Sequence, residues 1–425
     1  MKIANLEKIA ATGELNNQFI GVKIADNKIQ FHYPETYQLS CVDAELRRDI
    51  LAILRTISLA KTLTSNLSSY NSKFNNNDVF PMGAYLWLIN DYLTYGRYEN
   101  REKVYQRGAR GKIDWKKTLR TTPAISQGNI IYTDIISEKK SQVDNLLTEI
   151  YFFCAKRSVD ALGWLYGIEF DANGVDYERK LNKKLYLATI NTELSHTFDD
   201  IKKTRLQHMK NVITGLDDDV VQTKEIVYGV DSYDYVYERM VDSMFSNIQN
   251  IKDFYPTADW DLVVESKPKE SSKLRPDTIL EQKKEDGTKN LYILDAKYYR
   301  YGTTFLSKHI PETTSIQKQI TYGEYVKRMK TGQYDAIFSA FVMPYSKTTN
   351  IHHDRFNKNI EFVGTARAKW IDSDGETSRN IAGILVDTNF LINNWVRKNQ
   401  DNIDAIIETI EANIGSCVRE QNESL

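Results

Sequence analysis

Two short apolar runs on either side of Asp286-Gly287 constrain this chain more than any other feature. Asp-Gly is a tight-turn signal, so Pro276–Gln282 and Leu291–Tyr298 read as the two strands of a hairpin. Side chains alternate across a strand, which puts Asp295 and Lys297 on the face that Leu291 and Ile293 carry into a core. An acid and a base thus end an apolar strand, where charge is costly unless it serves a purpose. Arg275-Pro276-Asp277 leads into the first strand, eighteen positions before Asp295. If the strands pair, Asp277 comes close enough to Asp295 for both to ligate one divalent cation.

A hard cation between carboxylates, with a lysine beside it, is equipment for hydrolysing a phosphodiester: the cation polarises the phosphate and acidifies a bound water. All candidate ligands are oxygens, so Mg²⁺ is the expected ion, with Mn²⁺ as a substitute. The (D/E)xK triplet recurs at Asp26, Asp114, Glu138, Glu178, Asp200, Glu265 and Glu281. Only Asp295-Ala296-Lys297 ends an apolar strand and follows a Pro-Asp strand across a turn. On a flanking helix, Glu238 shares the stripe of Val241 and Phe245 and can turn toward the site. On a helix that begins near Pro311, Gln319 and Tyr322 lie three apart on one face, within reach of the phosphate or of an ordered water.

A length of 425 residues favours more than one domain. We read an N-terminal α+β domain over 1–135, a helical connector over 136–216 and a mixed α/β domain over 217–425. The first contains a hairpin turning at Asp26-Asn27 and a helix from Asp43 that packs on those strands. In the connector, Leu187, Ile190, Leu194, Phe198 and Ile201 form one helical stripe. In the last domain, a helix covers Tyr233–Ile251 and a strand covers Trp260–Glu265.

Cys41, Cys154 and Cys417 lie far apart and match neither a disulfide framework nor a zinc site, which suits a reducing cytoplasm. No apolar stretch approaches the length of a membrane span. A formal net charge of -1 gives no global pull on nucleic acid, so contact must come from a local patch or a partner. One patch runs from Arg101 to Arg120, with eight Lys or Arg against two acids. Within it Arg107, Arg110, Lys112, Trp115, Lys116 and Lys117 are the candidate DNA or partner contacts. The bland alternative is a solvated loop anchored by a buried Trp115.

A helix glutamate, a Pro-Asp strand, an Asp-Ala-Lys strand and a Gln-x-x-Tyr helix, in that order, resemble the core of the PD-(D/E)xK nucleases. YVYERM, RPD, LDAKYY and QITY, with the upstream GARGKIDWKKT, resemble the LlaJI restriction endonucleases and McrC-type nuclease subunits. That resemblance implies an α/β nuclease core whose catalytic set is Glu238, Asp277, Asp295 and Lys297, supported by Gln319 and Tyr322. The metal set is Glu238, Asp277, Asp295 and the backbone of Ala296. It further implies double-stranded DNA as substrate, a second copy for cutting both strands, and an AAA+ GTPase or ATPase as partner. The sequence has no GxxxxGK[ST] loop, so nucleotide hydrolysis would belong to that partner. A non-catalytic adaptor that stimulates the motor, and a stand-alone restriction or repair nuclease, are the alternatives.

Overall fold

The fold comes from a computed structural model. It describes residues 6–13, 18–25, 28–64, 80–96, 98, 101–108, 112–121, 123–126, 129–142, 146–169, 182–216, 225–264, 269–271, 273–371 and 376–422. Of these, 63, 64, 101–104, 139–142, 225 and 415–422 are described by backbone alone. The chain begins with β1 (Leu6–Ala11), β2 (Ile20–Ala25), β3 (Lys28–Pro34), α1 (Asp43–Thr64), α2 (Met82–Tyr95), β4 (Arg101–Arg107), β5 (Lys112–Ile113) and α3 (Trp115–Thr118). Next come β6 (Ala124–Ser126), β7 (Asn129–Ile131), β8 (Ile136–Gln142), α4 (Leu146–Leu162), α5 (Lys183–His196), α6 (Asp200–Thr214), β9 (Glu225–Val230) and α7 (Tyr233–Phe245). It continues with β10 (Asp259–Trp260), β11 (Lys269–Glu270), β12 (Thr278–Lys283), β13 (Lys289–Ala296), α8 (Tyr301–Thr304) and α9 (Thr313–Met329). The last elements are β14 (Ala336–Tyr345), β15 (Ile360–Ala366), β16 (Ile381–Asp387), α10 (Thr388–Asn394) and α11 (Gln400–Asn422). The architecture is mixed α/β.

Contacts divide the chain differently from the expected cuts at 135 and 216. Val79–Ile226 falls in one compact unit, and Leu6–Asp78 with Val227–Leu425 in the other. The reason is β9, which joins the sheet β1-β3-β2-β9 and so draws the first strands together with the segment after 226. The helical segment is therefore an insertion between two parts of one unit. β2 and β3 pair antiparallel as expected, although Asp26-Asn27 itself lies outside the described residues. β1 adds parallel to β3. α1 packs against α7 and α10.

In the inserted unit, α2, α4 and α6 bury Leu88 and Ile89, Ile150 and Cys154, and Met209 and Val212 against one another. Asp91 lies in this core, 5% exposed, where Arg205 donates to it through Nε and Nη2 at 2.8 Å each and Tyr151 Oη donates at 2.9 Å. The single stripe expected from Leu187 to Ile201 breaks. Asp199 accepts from Lys202 N at 2.9 Å and starts α6 afresh, leaving Phe198 and Ile201 at 90% and 59% exposed.

The other unit is built on the five-stranded sheet β12-β13-β14-β16-β15. β12 and β13 pair antiparallel with Thr278 opposite Leu294, β13, β14 and β16 run parallel to one another, and β15 pairs antiparallel with β16. Gly287, at φ 87°, supplies the left-handed residue that the Asp286-Gly287 turn needs. α9 covers the face of Ile279, Leu291 and Ile293 through Tyr322 and Val326. α11 covers the opposite face, where Glu411 accepts from Asn290 and Tyr292 at 2.6 Å each. Two expected spans shrink. The helix from Tyr233 ends at Phe245, and the strand from Trp260 is only Asp259–Trp260, because Val263 and Val264 stand in a turn fully open to solvent. With neither face buried, apolar β-formers alone do not sustain a strand.

Candidate active site

The hairpin register carries Asp277 to Asp295. Thr278 faces Leu294, so the residue before β12 meets the last acid of β13. Asp277 Oδ2 accepts from Ala296 N at 3.0 Å, which fixes the carboxyl at the strand end. Lys297 N continues the ladder by donating to Val342 O at 2.8 Å. From that anchored backbone, Lys297 Nζ reaches Asp295 Oδ2 at 2.6 Å. The two side chains are 21% and 11% exposed, so this is a half-buried pair rather than a surface one.

Electrostatics tie Glu238 to the same place. It lies on α7, whose buried stripe includes Val241 and Phe245 and which packs on β12 and β13. Burial first, and then the charge of Asp234 one turn earlier, push its carboxyl up to about 7, and Asp295 adds to the rise while Lys297 opposes it. Asp277 is raised as well: by burial, by the charges of Asp295 and Glu238, and by a hydrogen bond to Asp295. On Lys297 burial works against the charged form, but the charge and hydrogen bond of Asp295 outweigh it and the amine is held above its ordinary range. Glu238, Asp277 and Asp295 thus surround a single lysine, an acidic excess that one divalent cation would balance.

The donor set fits a hard cation, since Asp277 and Asp295 lie within hydrogen-bonding reach of each other and Glu238 feels the charge of Asp295. Among the described residues no group of three or more Asp, Glu, His or Cys side chains is placed to hold a metal ion, so the close carboxylates here are the pair Asp277 and Asp295. Ala296 N occupies one oxygen of Asp277, and Lys297 one of Asp295.

Gln319 and Tyr322 face inward. Gln319 is fully buried and its Nε2 donates to Ala340 O at 3.2 Å, while Tyr322 Oη donates to Arg275 O at 3.0 Å. Gln319 braces β14, and Tyr322 holds the carbonyl two residues before Asp277. Tyr322 is still close enough for Asp295 and Asp277 to raise its phenol further, after burial. Asp234 was missed at the level of sequence, although its i,i+4 spacing to Glu238 marks a like-charge pair.

The basic segment belongs to the other unit and, over its described residues, is more regular than a solvated loop. β4 and β5 both pair with β8, and Asp114 caps α3 by accepting from Lys117 N at 3.0 Å. Arg107, Lys112 and Lys116 are exposed, Lys117 stands 2.8 Å over the Tyr105 ring, and Arg110 lies outside the described residues. Trp115 is no buried anchor: it is 59% exposed. The short helix places it on the outer side of a small sheet, where nothing covers it among the described residues. Across the described residues no helix is long and apolar enough to cross a membrane.

No curated protein matches the chain. Among solved structures, a Thermococcus gammatolerans assembly of McrB AAA+ hexamers with bound McrC aligns over 93% of this chain and 83% of that one, at 14% identity and a TM-score of 0.41. The cryo-EM structure of the Thermococcus gammatolerans McrBC complex aligns over 52% and 63%, at 12% identity and a TM-score of 0.22. The description LlaJI restriction endonuclease matches residues 19–386, a stretch that contains Glu238, Asp277, Asp295, Lys297, Gln319 and Tyr322, and the chain belongs to that family.

Proposed function

We propose that this protein is an Mg²⁺-dependent DNA endonuclease with a PD-(D/E)xK core, acting as the nuclease subunit of a restriction system. The observation that carries the reading is the convergence of Asp277, Asp295 and Lys297 at one end of the β12–β13 hairpin, with Glu238 beside them. Glu238, Asp277, Asp295 and the Ala296 backbone would hold Mg²⁺, with Mn²⁺ as a substitute. The ion would polarise the scissile phosphate and lower the pKa of the attacking water. Lys297, kept protonated by Asp295, brings fixed positive charge to where negative charge builds on the phosphorus oxygens. Tyr322 and Gln319 keep the strand ends in place so that these groups need not reorganise during the reaction. An adaptor without chemistry would have no use for one buried and two half-buried acids around one lysine.

The substrate is double-stranded DNA, a second copy serves the second strand, and an AAA+ GTPase or ATPase controls cutting. The partner reading rests on family membership and on the sequence resemblance. The test is plasmid cleavage with Mg²⁺, with and without the nucleotide-hydrolysing protein encoded beside this chain. Cutting that needs both proteins and the nucleotide is expected. Specific double-strand cleavage by this chain with Mg²⁺ alone would show a self-sufficient enzyme, and no cleavage under any combination would overturn the nuclease reading.

A further inference from the structure

Directly beyond Lys297 the chain lines a cavity of about 290 Å³ whose walls include Gly13, Tyr299, Arg300, Lys308, His309 and Glu312. Small-ligand pockets run from roughly 300 to 1,000 Å³, so this one suits a single nucleotide unit rather than a base pair. Its walls are braced. Arg300 grips Glu35 with two prongs, Nε to Oε1 at 2.8 Å and Nη2 to Oε2 at 3.1 Å. Thr304 Oγ1 lies 2.6 Å from His309 Nδ1 and fixes that ring by one nitrogen, leaving Nε2 for another partner. Between them, α8 is pressed on β14: a Cβ at Gly302 would stand 2.2 Å from Pro344 O, an approach only glycine permits.

The charges of the cavity are not equivalent. Arg300 is committed to Glu35 and serves as scaffold. Glu312 on the rim is exposed and would repel a polyanion. Lys308 is exposed and has no acidic partner among the described residues. Tyr299 joins the cavity to the active site, two residues from Lys297 and near enough to act on its charge. Tyr299 is 36% exposed. We propose that this cavity receives the backbone phosphate and sugar of the DNA nucleotide next to the scissile one. Lys308 Nζ and His309 Nε2 donate to that phosphate, and Tyr299 forms the wall between the two phosphate positions. The inference rests on the nuclease reading of the neighbouring site.

The test is binding of a fluorescein-labelled DNA duplex to the full chain in EDTA, followed by anisotropy from about 20 to 200 mM salt. Lys308→Gln is expected to weaken binding roughly three- to ten-fold at the low-salt end and to lower the slope of log affinity against log salt by about one. Glu312→Gln, which removes the opposing charge, should tighten binding. A Lys308→Gln affinity within two-fold of wild type with an unchanged slope overturns the inference, as does absence of duplex binding by the wild-type chain at about 20 mM salt. Neither result touches the nuclease reading, which is judged by plasmid cleavage and its loss in Lys297→Ala.

Discussion

Lys297→Ala should cost both activity and stability, in amounts that the geometry sets. The Nζ to Oδ2 distance is 2.6 Å. At an effective dielectric of about 20 such a pair gains a gross ~6 kcal/mol, most of which offsets the desolvation of its two members. Exposed pairs contribute about 0–1 kcal/mol, and breaking a fully buried pair costs about 3–5 kcal/mol. With side chains 21% and 11% exposed, this pair lies between the limits, at about 1–3 kcal/mol. The alanine variant leaves Asp295 beside Asp277 and Glu238 with no cation, so Asp295→Asn added to it should restore part of the loss. A double-mutant cycle should therefore give a coupling of about 1 kcal/mol or more. Because the chain has two units, a whole-chain melting point is the wrong assay. Hydrogen exchange of the β12 and β13 amides in EDTA reads the relevant unit directly. Cleavage should fall by a factor of about 10²–10³ or more, the usual loss for a group that stabilises transition-state charge. A coupling near zero, or cleavage within ten-fold of wild type, would refute the reasoning.

The remaining expectations concern the ligands, the inserted unit and the basic segment. Asp277→Asn and Asp295→Asn should each abolish Mg²⁺-dependent cleavage, with partial recovery in excess Mn²⁺; calorimetry that finds unchanged Mg²⁺ affinity in both variants counts against the ligand roles. Asp91→Ala strands the guanidinium of Arg205, a residue only 9% exposed, and should destabilise the inserted unit by about 3–5 kcal/mol. The paired change Asp91→Leu with Arg205→Met should recover most of that, read by hydrogen exchange of the α2 and α6 amides, and a double variant no better than Asp91→Ala would show that the ion pair is not what holds α2 to α6. Charge reversal at Arg107, Arg110 and Lys112 should weaken binding to DNA or to the proposed motor partner, and unchanged affinity for both at low salt removes that segment from either role.

The hairpin was legible in the sequence because its signals are local. An Asp-Gly turn, a period of two, and a charged pair ending an apolar run require no knowledge of distant segments, and they place Asp277, Asp295 and Lys297 together. The same holds for Glu238, whose helical stripe is readable at spacings of three and four. Only the tertiary structure decided what depends on segments far apart in the chain. It made β9 a strand of the N-terminal sheet, turned Gln319 and Tyr322 onto backbone carbonyls, exposed Phe198 and Trp115, and brought Glu35 to Arg300, three residues after Lys297. Periodicity states which face of an element seeks burial. Which surface buries it is settled by competition among all the elements of the chain, and no stretch of sequence contains its own competitor.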